Sequence, residues 1–432
     1  MLQPTNGGYT NGYHHDGTAA VGGISGGHRG RRGSRGRSRG RRGVGGGGGG
    51  DGGARVSQWQ QHEDEEEREK PVPPCTEFDT AYFNSYAHVG IHEEMIKDRV
   101  RTDSYRNAIF QHQNFIAGKV VVDVGCGTGI LSIFCAQAGA RRVYAVDASD
   151  IAVQANEIVK ANNLSDKVIV LHGRVEDVEI DEEVDVIVSE WMGYMLLYES
   201  MLGSVITARD RWLRPGGLIL PSHATLYMAP ATHPDRYGEC VDFWRNVYGI
   251  DMSAIMPLAK QCAFEEPSVE TITVENVLTW PQVVKHVDCY TVTSQELESI
   301  TARFKFESMM RAPFHGFAFW FDVEFTSPAV FPLNNDMAPS FVEPPNGNMT
   351  EGNQRKKRPN PNDLVLSTAP EDPPTHWQQT LVYFYEPLEV EQDQVIEGSL
   401  TLSQSKENAR FMNIHLEYSS GGRSFVKESV MR

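Results

Sequence analysis

Between residues 120 and 220, short runs of β-branched residues alternate with segments of helical spacing. A short apolar run without polar alternation is typical of a strand that is buried on both faces. Apolar residues spaced three and four apart between these runs predict helices that cover the sheet. The pattern therefore predicts an α/β domain with a parallel sheet. The domain is expected to span residues 76–221 and to begin with covering helices, because the composition becomes that of a folded domain from Phe78. Strands are expected at 120–124, 142–146, 168–171, 184–188 and 218–220, and helices at 130–138 and 201–212.

After Pro221 the pattern changes to strict alternation. Between 317 and 325, four phenylalanines and a valine occupy every second position, and further alternating runs follow at 380–385, 395–402 and 411–418. Such runs predict an antiparallel sandwich or barrel over residues 222–432, and the aromatic stripe is expected in its core rather than around a ligand. The segment 235–263 has helical spacing and is expected to be a surface helical insertion in this second domain.

Two segments have the composition of disordered chain. Residues 1–75 are rich in glycine and repeat Arg-Gly between Arg29 and Arg42, and an acidic block follows at 63–69. Composition leaves this tail open to being a solvated linker, an RNA contact or a nuclear-import patch. The segment 331–363 is rich in Pro, Asn and Gly and carries Arg355-Lys356-Lys357-Arg358, so it is expected to be a disordered loop with a basic patch.

Charge is divided unevenly along the chain. Residues 1–69 hold ten Lys and Arg against eight Asp and Glu, which leaves 30 against 49 in the rest, or net charges of +2 and −19. An acidic body favours encounter with a basic partner and is unlike a domain that binds duplex nucleic acid.

Several protein classes are disfavoured by what the sequence holds. The six cysteines form no CxxC pair, as expected for a reduced compartment, and the histidines lack partners at metal-ligand spacing. The longest apolar stretch, 120–140, is broken by Asp123 and by glycines, and the N-terminus has no apolar signal region. We therefore expect neither a metal site nor a membrane span.

A glycine-rich turn follows the first strand. Asp123 precedes Gly125-Cys126-Gly127-Thr128-Gly129, and the predicted helix begins directly after it. Strand, glycine turn and helix make up the order in which backbone and helix N-terminus approach a nucleotide. Asp147 ends the second strand twenty residues after Gly127, where a carboxylate accepts ribose hydroxyls. The spacing is G-x-G-x-G rather than G-x-G-x-x-G, and with Asp123 before the first glycine the turn resembles that of S-adenosylmethionine-dependent methyltransferases more than that of dehydrogenases.

Two glutamates bracket an aromatic loop after the fourth strand. Glu190 and Glu199 enclose Trp191, Tyr194 and Tyr198 together with Met and Leu residues. The simpler interpretation is that Glu190 ends a strand and Glu199 lies in the first turn of a helix. Carboxylates that point into such an apolar pocket repel one another unless a cation joins them, and a guanidinium matches their geometry.

The segments Ser-Glu-Trp-Met-Gly-Tyr and Leu-Tyr-Glu-Ser around Glu190 and Glu199 resemble the double-glutamate loop of the protein arginine N-methyltransferases. The resemblance extends from about Phe78 to the C-terminus and is closest to the plant-like class 6 branch of the asymmetric-dimethylating (type I) enzymes. It implies a Rossmann-like S-adenosylmethionine-dependent methyltransferase domain followed by an antiparallel β-barrel domain with a helical dimerisation arm at 235–263.

The resemblance also implies roles for individual residues. Glu190 and Glu199 would hold the substrate arginine, and His376, hydrogen-bonded to Asp98, would relay its proton. His92 and Arg101 would hold the amino-acid end of the cofactor, with Asp147 on the ribose, Glu176 on the adenine amino group, and Asp123, Gly125 and Gly127 in the turn. The residues expected to line the substrate arginine are Tyr86, Met95, Met192 and Met201.

Small, flexible methionines leave room for a second methyl on one nitrogen, which is the resemblance-based case for asymmetric dimethylarginine. The expected partners are proteins with exposed arginines, namely histones and Arg-Gly-rich RNA-binding proteins, and a second copy of the chain. The Arg-Gly tail could also be a substrate of the chain's own site. The expected compartment is the nucleus, with the cytoplasm as an alternative. Two rivals remain, a nicotinamide-dependent dehydrogenase and an RNA-binding scaffold or inactive relative.

Overall fold

The computed structural model describes residues 74–328 and 364–432. The expected disordered tail, except Pro74 and Cys75, and the expected loop 331–363 lie outside the described residues. Within the described ranges, no helix is long and apolar enough to cross a membrane.

In the part of the chain that the structure describes, four helices precede the first sheet. A reciprocal capping box starts the first of them: the Asp79 amide donates to Thr76 Oγ1 at 3.1 Å and the Thr76 amide donates to Asp79 Oδ2 at 3.0 Å. Asp98 interrupts the helical pattern and caps the third helix by accepting a bond from the Arg101 amide at 3.0 Å. The four are α1 (Glu77–Ser85), α2 (Val89–Lys97), α3 (Arg99–Gln111) and α4 (Gln113–Ile116).

A five-stranded parallel sheet follows, in the order β3-β2-β1-β4-β5. Strands β1 and β4 are buried at every position, which explains their uninterrupted apolar character. The strand order reverses between β1 and β4, so a crevice opens beyond their carboxyl ends, where ligands bind in such sheets. The elements are β1 (Val120–Val124), α5 (Ile130–Gln137), β2 (Arg142–Asp147), α6 (Ile151–Ala161), β3 (Val168–His172), β4 (Val184–Ser189), α7 (Leu202–Trp212) and β5 (Leu213–Leu220).

From His223 onward the sheets are antiparallel, in the orders β7-β12-β10-β6-β8, with β11 paired to β10, and β15-β14-β13-β9. The predicted fold class, a Rossmann-like domain followed by an antiparallel β domain, is confirmed. Its elements are β6 (His223–Ala231), α8 (Pro234–Cys240), α9 (Met256–Phe264), β7 (Ser268–Glu270), β8 (Gln282–Asp288), α10 (Ser294–Glu298), β9 (Ser299–Glu307), β10 (Ala312–Phe325), β11 (Leu364–Ser367), β12 (Gln379–Val390), β13 (Val395–Gln404), β14 (Met412–Ser420) and β15 (Arg423–Met431).

Strand β10 is buried on both faces. The phenylalanine face lies in the main core, as the alternation predicted. The opposite face, with Ala318 and Trp320, forms a second cluster with Tyr237 of α8 and Phe264 of α9. The helical insertion therefore covers a face of the sheet that alternation alone would leave to solvent.

The segment 235–263 is helical but not continuous. Two short 3-10 helices, Asp242–Arg245 and Ser253–Ile255, lie between α8 and α9. The chain turns between them, where Tyr248 and Gly249 have φ values of 51° and 84°, outside the helical region. Helical spacing at the ends of the segment could not reveal this turn.

Candidate active site

The double-glutamate loop, residues 190–199, leaves β4 at the crevice and returns to α7. Three of its residues and the neighbouring Ser200 have unusual backbone: Met195, Leu196, Glu199 and Ser200 all have φ between 52° and 74°. Non-glycine residues in this region carry strain and persist only where the surroundings fix them. A Cβ on Gly193 would lie 2.1 Å from the Tyr198 carbonyl oxygen, so the loop closes tightly on itself. Because α7 begins at Leu202, Glu199 is not in the first turn of a helix.

Glu199 is held by Tyr82 of the first helix and by Tyr86, the residue that caps the end of that helix. The hydroxyls of Tyr82 and Tyr86 donate to Glu199 Oε2 at 2.9 and 2.8 Å. Burial raises the pKa of Glu199, the tyrosine hydrogen bonds lower it, and the charge of Glu190 raises it, with a net increase. The site therefore holds a carboxylate that would be stabilised by an incoming cation.

Glu190 is paired with an arginine of the chain itself. Its Oε2 accepts bonds from Arg101 Nε at 3.0 Å and Nη2 at 2.9 Å, and both side chains are less than a tenth exposed. Arg101 Nη1 also donates to the Met95 carbonyl at 3.1 Å. Arg101 is expected to grip the cofactor carboxylate, which stays a prediction; in the structure its guanidinium binds Glu190. The other oxygen of Glu190, Oε1, is buried and has no hydrogen-bond partner among the described residues.

The glycine turn forms the floor of the crevice. Gly125 and Gly127 have φ values of 73° and 54°, and the Gly127 amide donates to Asp147 Oδ2 at 2.8 Å. A Cβ on Gly127 would come 3.0 Å from His92 Nδ1, so His92 lies against the turn as expected for a residue of the cofactor site. The Met201 methyl lies against Gly125, which places this predicted substrate residue over the cofactor turn as well.

Two further carboxylates border the crevice. Asp123 is fully buried; its Oδ2 accepts a bond from Ser132 Oγ at 2.7 Å, and burial raises its pKa to about 7. Asp123 Oδ1 has no hydrogen-bond partner within the described ranges. Glu176 Oε1 accepts a bond from Ser204 Oγ of α7 at 2.7 Å. A glycine turn bordered by carboxylates fits a ligand with ribose hydroxyls and amino groups.

His376 and Asp98 form the pair that the resemblance implied. Asp98 Oδ2 lies 2.8 Å from His376 Nδ1 and accepts the His376 amide at 2.9 Å. Burial raises the pKa of Asp98, but the hydrogen bonds from His376 and from the Arg101 backbone together lower it by more. The net pKa of Asp98 is therefore below its usual value. The contact is present; its part in proton transfer stays a prediction.

Met192 is expected to line the substrate arginine, and that role stays a prediction. It is buried in the core, its sulfur lies 3.6 Å from the Tyr105 hydroxyl, and its carbonyl accepts the Trp377 indole N–H at 2.8 Å. In the present structure Met192 therefore fastens the loop to Trp377.

Sequence reasoning missed two residues of this site. Tyr82 lies four positions before Tyr86, so both project from one face of α1, and that spacing could have identified it. Arg410, in the connection between β13 and β14, donates from Nη1 to the Glu199 carbonyl at 2.9 Å across 211 positions. No local pattern marks such a distant contact.

Known proteins resemble the chain over most of its length. A family model described as the arginine methyltransferase oligomerization subdomain matches residues 222–339 and 356–423, and one described as ribosomal protein L11 methyltransferase matches residues 109–217. Probable protein arginine N-methyltransferase 6 of Arabidopsis thaliana is 79% identical over 362 residues, which cover 83% of each chain. Protein arginine N-methyltransferase 6 of Danio rerio is 45% identical over 79% of this chain and 90% of its own.

Solved structures give the same likeness. The Trypanosoma brucei PRMT1 enzyme-prozyme heterotetrameric complex with AdoHcy has a TM-score of 0.68 at 35% identity, covering 81% of this chain and 100% of that chain. Arabidopsis thaliana protein arginine methyltransferase 10 has a TM-score of 0.66 at 36% identity, with the same coverage.

Proposed function

The chain belongs to the protein arginine N-methyltransferase family, in its plant-like class 6 branch, and from this we propose that it makes asymmetric dimethylarginine with Glu190 and Glu199 holding the substrate. It is an S-adenosylmethionine-dependent enzyme that methylates arginine in proteins. The observation that supports the proposed site is the pair of carboxylates beyond the end of β4. Among the described residues, Glu190 has a buried oxygen without a hydrogen-bond partner, and Glu199 accepts hydrogen bonds from two neutral tyrosine hydroxyls.

The residues around the glycine turn fit the cofactor. We assign the ribose hydroxyls to Asp147 and the adenine amino group to Glu176, and the amino-acid end to His92 and Arg101. When bound, the cofactor supplies an electrophilic methyl group on a sulfonium. Arg101, now on Glu190, lies where its guanidinium can bridge that glutamate and a ligand carboxylate.

Substrate binding follows from charge. A guanidinium has a pKa above about 12 and is a poor nucleophile because its lone pairs are delocalised. Glu190 and Glu199 draw positive charge toward the nitrogens they bind and leave a terminal nitrogen facing the methyl group. Alignment of this kind contributes about 7–11 kcal/mol in favourable cases. The two tyrosine hydroxyls bind Oε2 of Glu199 and fix it in place, which leaves the other oxygen, Oε1, for the substrate guanidinium.

A proton must leave the methylated nitrogen. Glu199 is one acceptor, since its raised pKa makes it a better base than an exposed glutamate. His376 is the other, because Asp98 orients its ring through Nδ1 and stabilises the imidazolium that forms. We propose that Glu199 or His376 takes the proton first and then releases it to solvent.

The type of product depends on the space beside the arginine. Met95 and Met201 are flexible and unbranched, so their side chains can move aside and leave room for a second methyl group on the same substrate nitrogen. Mass spectrometry of an Arg-Gly peptide, with fragment ions that separate asymmetric from symmetric dimethylarginine, tests this proposal. Symmetric product would overturn it.

The substrate class follows from electrostatics. Residues 70–432 carry a net charge of −19, which favours encounter with basic chains. We propose histone tails and Arg-Gly-rich proteins as substrates, and the chain's own Arg29 to Arg42 as a further acceptor.

The basic residues at 355–358 support import into the nucleus, which a fluorescent fusion with and without that patch would test. We also propose that the Arg-Gly tail contacts RNA, which deletion of the tail would test.

The arm supports a homodimer. The segment between α8 and α9 exposes Phe243 by 52%, Ile250 by 61% and Tyr248 completely. Three large apolar side chains on one projecting segment are unusual on a monomer's surface and typical of an interface. We propose that this arm, 235–263, docks on a second copy of the chain.

A further inference from the structure

We propose that Arg410 is a positioning residue that fixes both Glu199 and the first helix, so that a connection in the β domain assembles the substrate site. The inference rests on the proposed role of Glu199. Arg410 lies between β13 and β14, 211 positions from Glu199 along the chain.

The backbone of Glu199 is bound on both sides by this one residue. The Glu199 amide donates to the Arg410 carbonyl at 3.0 Å, and Arg410 Nη1 donates to the Glu199 carbonyl at 2.9 Å. Glu199 and Ser200 have φ values of 74° and 58°. A residue with such strained backbone keeps its conformation only where the surrounding structure fixes it. Arg410 does so for Glu199, because it binds both the amide and the carbonyl of that residue.

The same guanidinium holds the first helix. Its Nε and Nη2 lie 3.0 and 2.8 Å from Asp79 Oδ1, and its central carbon lies 3.8 Å from the centre of the Tyr82 ring. Tyr82 in turn donates its hydroxyl to Glu199. Asp79, Tyr82, Glu199 and Arg410 therefore form a closed circuit between α1, the double-glutamate loop and the β domain.

The connection that carries Arg410 is itself fastened. The Arg410 amide donates to Asn408 Oδ1 at 3.0 Å. Ser200 Oγ donates to the Ala409 carbonyl at 2.6 Å and accepts from Gln404 Nε2 at 3.1 Å. The position of Glu199 is therefore set by a fixed frame rather than by a side chain that moves alone.

Arginine is needed here for its shape as well as its charge. The planar fork binds a carboxylate and a carbonyl at once and stacks on an aromatic ring, whereas a lysine offers only a point charge. The charge of Arg410 also opposes the rise in the pKa of Glu199 that burial causes. Lysine and glutamine at this position therefore separate the effect of geometry from the effect of charge.

The test compares Arg410→Lys and Arg410→Gln with the control Arg423→Gln in the full-length protein. Arg423 lies at the start of β15, is exposed, and also lies over a ring, that of Phe425. The measurements are kcat and KM for an Arg-Gly peptide across pH, the Kd of S-adenosylmethionine, and hydrogen exchange of the Glu199 amide.

We expect both Arg410 variants to lose about 10²-fold in kcat/KM, because small misplacements of a reacting group have effects of this size. Cofactor affinity stays unchanged and the Glu199 amide exchanges faster. The acid limb of the pH profile moves to higher pH in Arg410→Gln and keeps its place in Arg410→Lys. The control behaves as the unaltered enzyme.

An Arg410→Gln activity equal to that of Arg423→Gln would overturn the proposal, as would an unmoved acid limb with unchanged exchange at Glu199. If Arg410→Gln does not fold, Asp79→Asn serves instead, since it loosens the guanidinium and leaves the bond from the Glu199 amide to the Arg410 carbonyl; unaltered kcat would then overturn the proposal. An unaltered enzyme that methylates no peptide would count against the proposed function, while the exchange measurement still decides the role of Arg410.

Discussion

Asp98 and His376 lie 278 positions apart and share a hydrogen bond of 2.8 Å that joins the start of α3 to the segment before β12. The Asp98 side chain is only 4% exposed and also caps α3 through the Arg101 amide. One carboxylate thus orients the proposed proton acceptor and fixes the helix that presents Arg101 to Glu190.

Replacement of Asp98 by Asn should lower stability in a pH-dependent way. Because the folded-state pKa of Asp98 is depressed, its contribution is present above the unfolded value of about 3.9 and is lost as pH falls through the folded value. We expect the free energy of unfolding to fall by about 1–3 kcal/mol at pH 7, the usual size for hydrogen bonds to a charged group. Urea unfolding at pH 7 and in acid measures this.

Asp103→Asn is the matched control for that substitution, since Asp103 lies on the same helix and is 56% exposed. A loss of stability for Asp98→Asn that persists unchanged in acid, or equals that of the control, would contradict the role assigned to Asp98.

The activity should depend on the ionisation of Glu199. Its pKa is raised, so kcat/KM should rise with pH through that raised value as the carboxylate becomes able to bind a guanidinium. Tyr86→Phe removes a hydrogen bond that lowers this pKa, and the acid limb should move to higher pH. A pH series of initial rates checks this; a limb that stays in place would show that another group controls it.

Replacing exposed apolar side chains of the arm by aspartate should convert the proposed dimer into a monomer. Tyr248→Asp together with Ile250→Asp places charge on the exposed turn, and burying an unpaired charge in an interface is strongly unfavourable. Sedimentation velocity should show half the mass of the unaltered protein. Trp280→Ser is the control, because Trp280 is 68% exposed but lies outside the arm; equal masses for all three proteins would remove the arm from the interface.

Three features could be predicted because each depends on residues close in sequence. They are the strands of the parallel sheet, the glycine turn and the position of Glu190. Uninterrupted apolar runs such as β1 and β4 follow directly from burial on both faces. The position of Asp147 at the end of β2 follows from the same local reasoning.

The rest depends on contacts that no local pattern encodes. Arg101 was assigned by resemblance to a ligand, but in the structure its nearest carboxylate is Glu190, 89 positions away. Arg410 has no neighbouring motif, and the buried far face of β10 needs the arm helices to cover it. In each case a pairing across the fold decides the position of the side chain.

The central claim is that Glu190 and Glu199 hold the substrate guanidinium. Single-turnover methylation of an Arg-Gly peptide by Glu190→Gln, beside calorimetric binding of S-adenosylmethionine, tests it most directly. We expect the methyl-transfer rate to fall by about 10²–10³-fold, the size seen when one preorganised electrostatic group is removed, with cofactor affinity unchanged. A rate within a few-fold of the unaltered enzyme would contradict the claim.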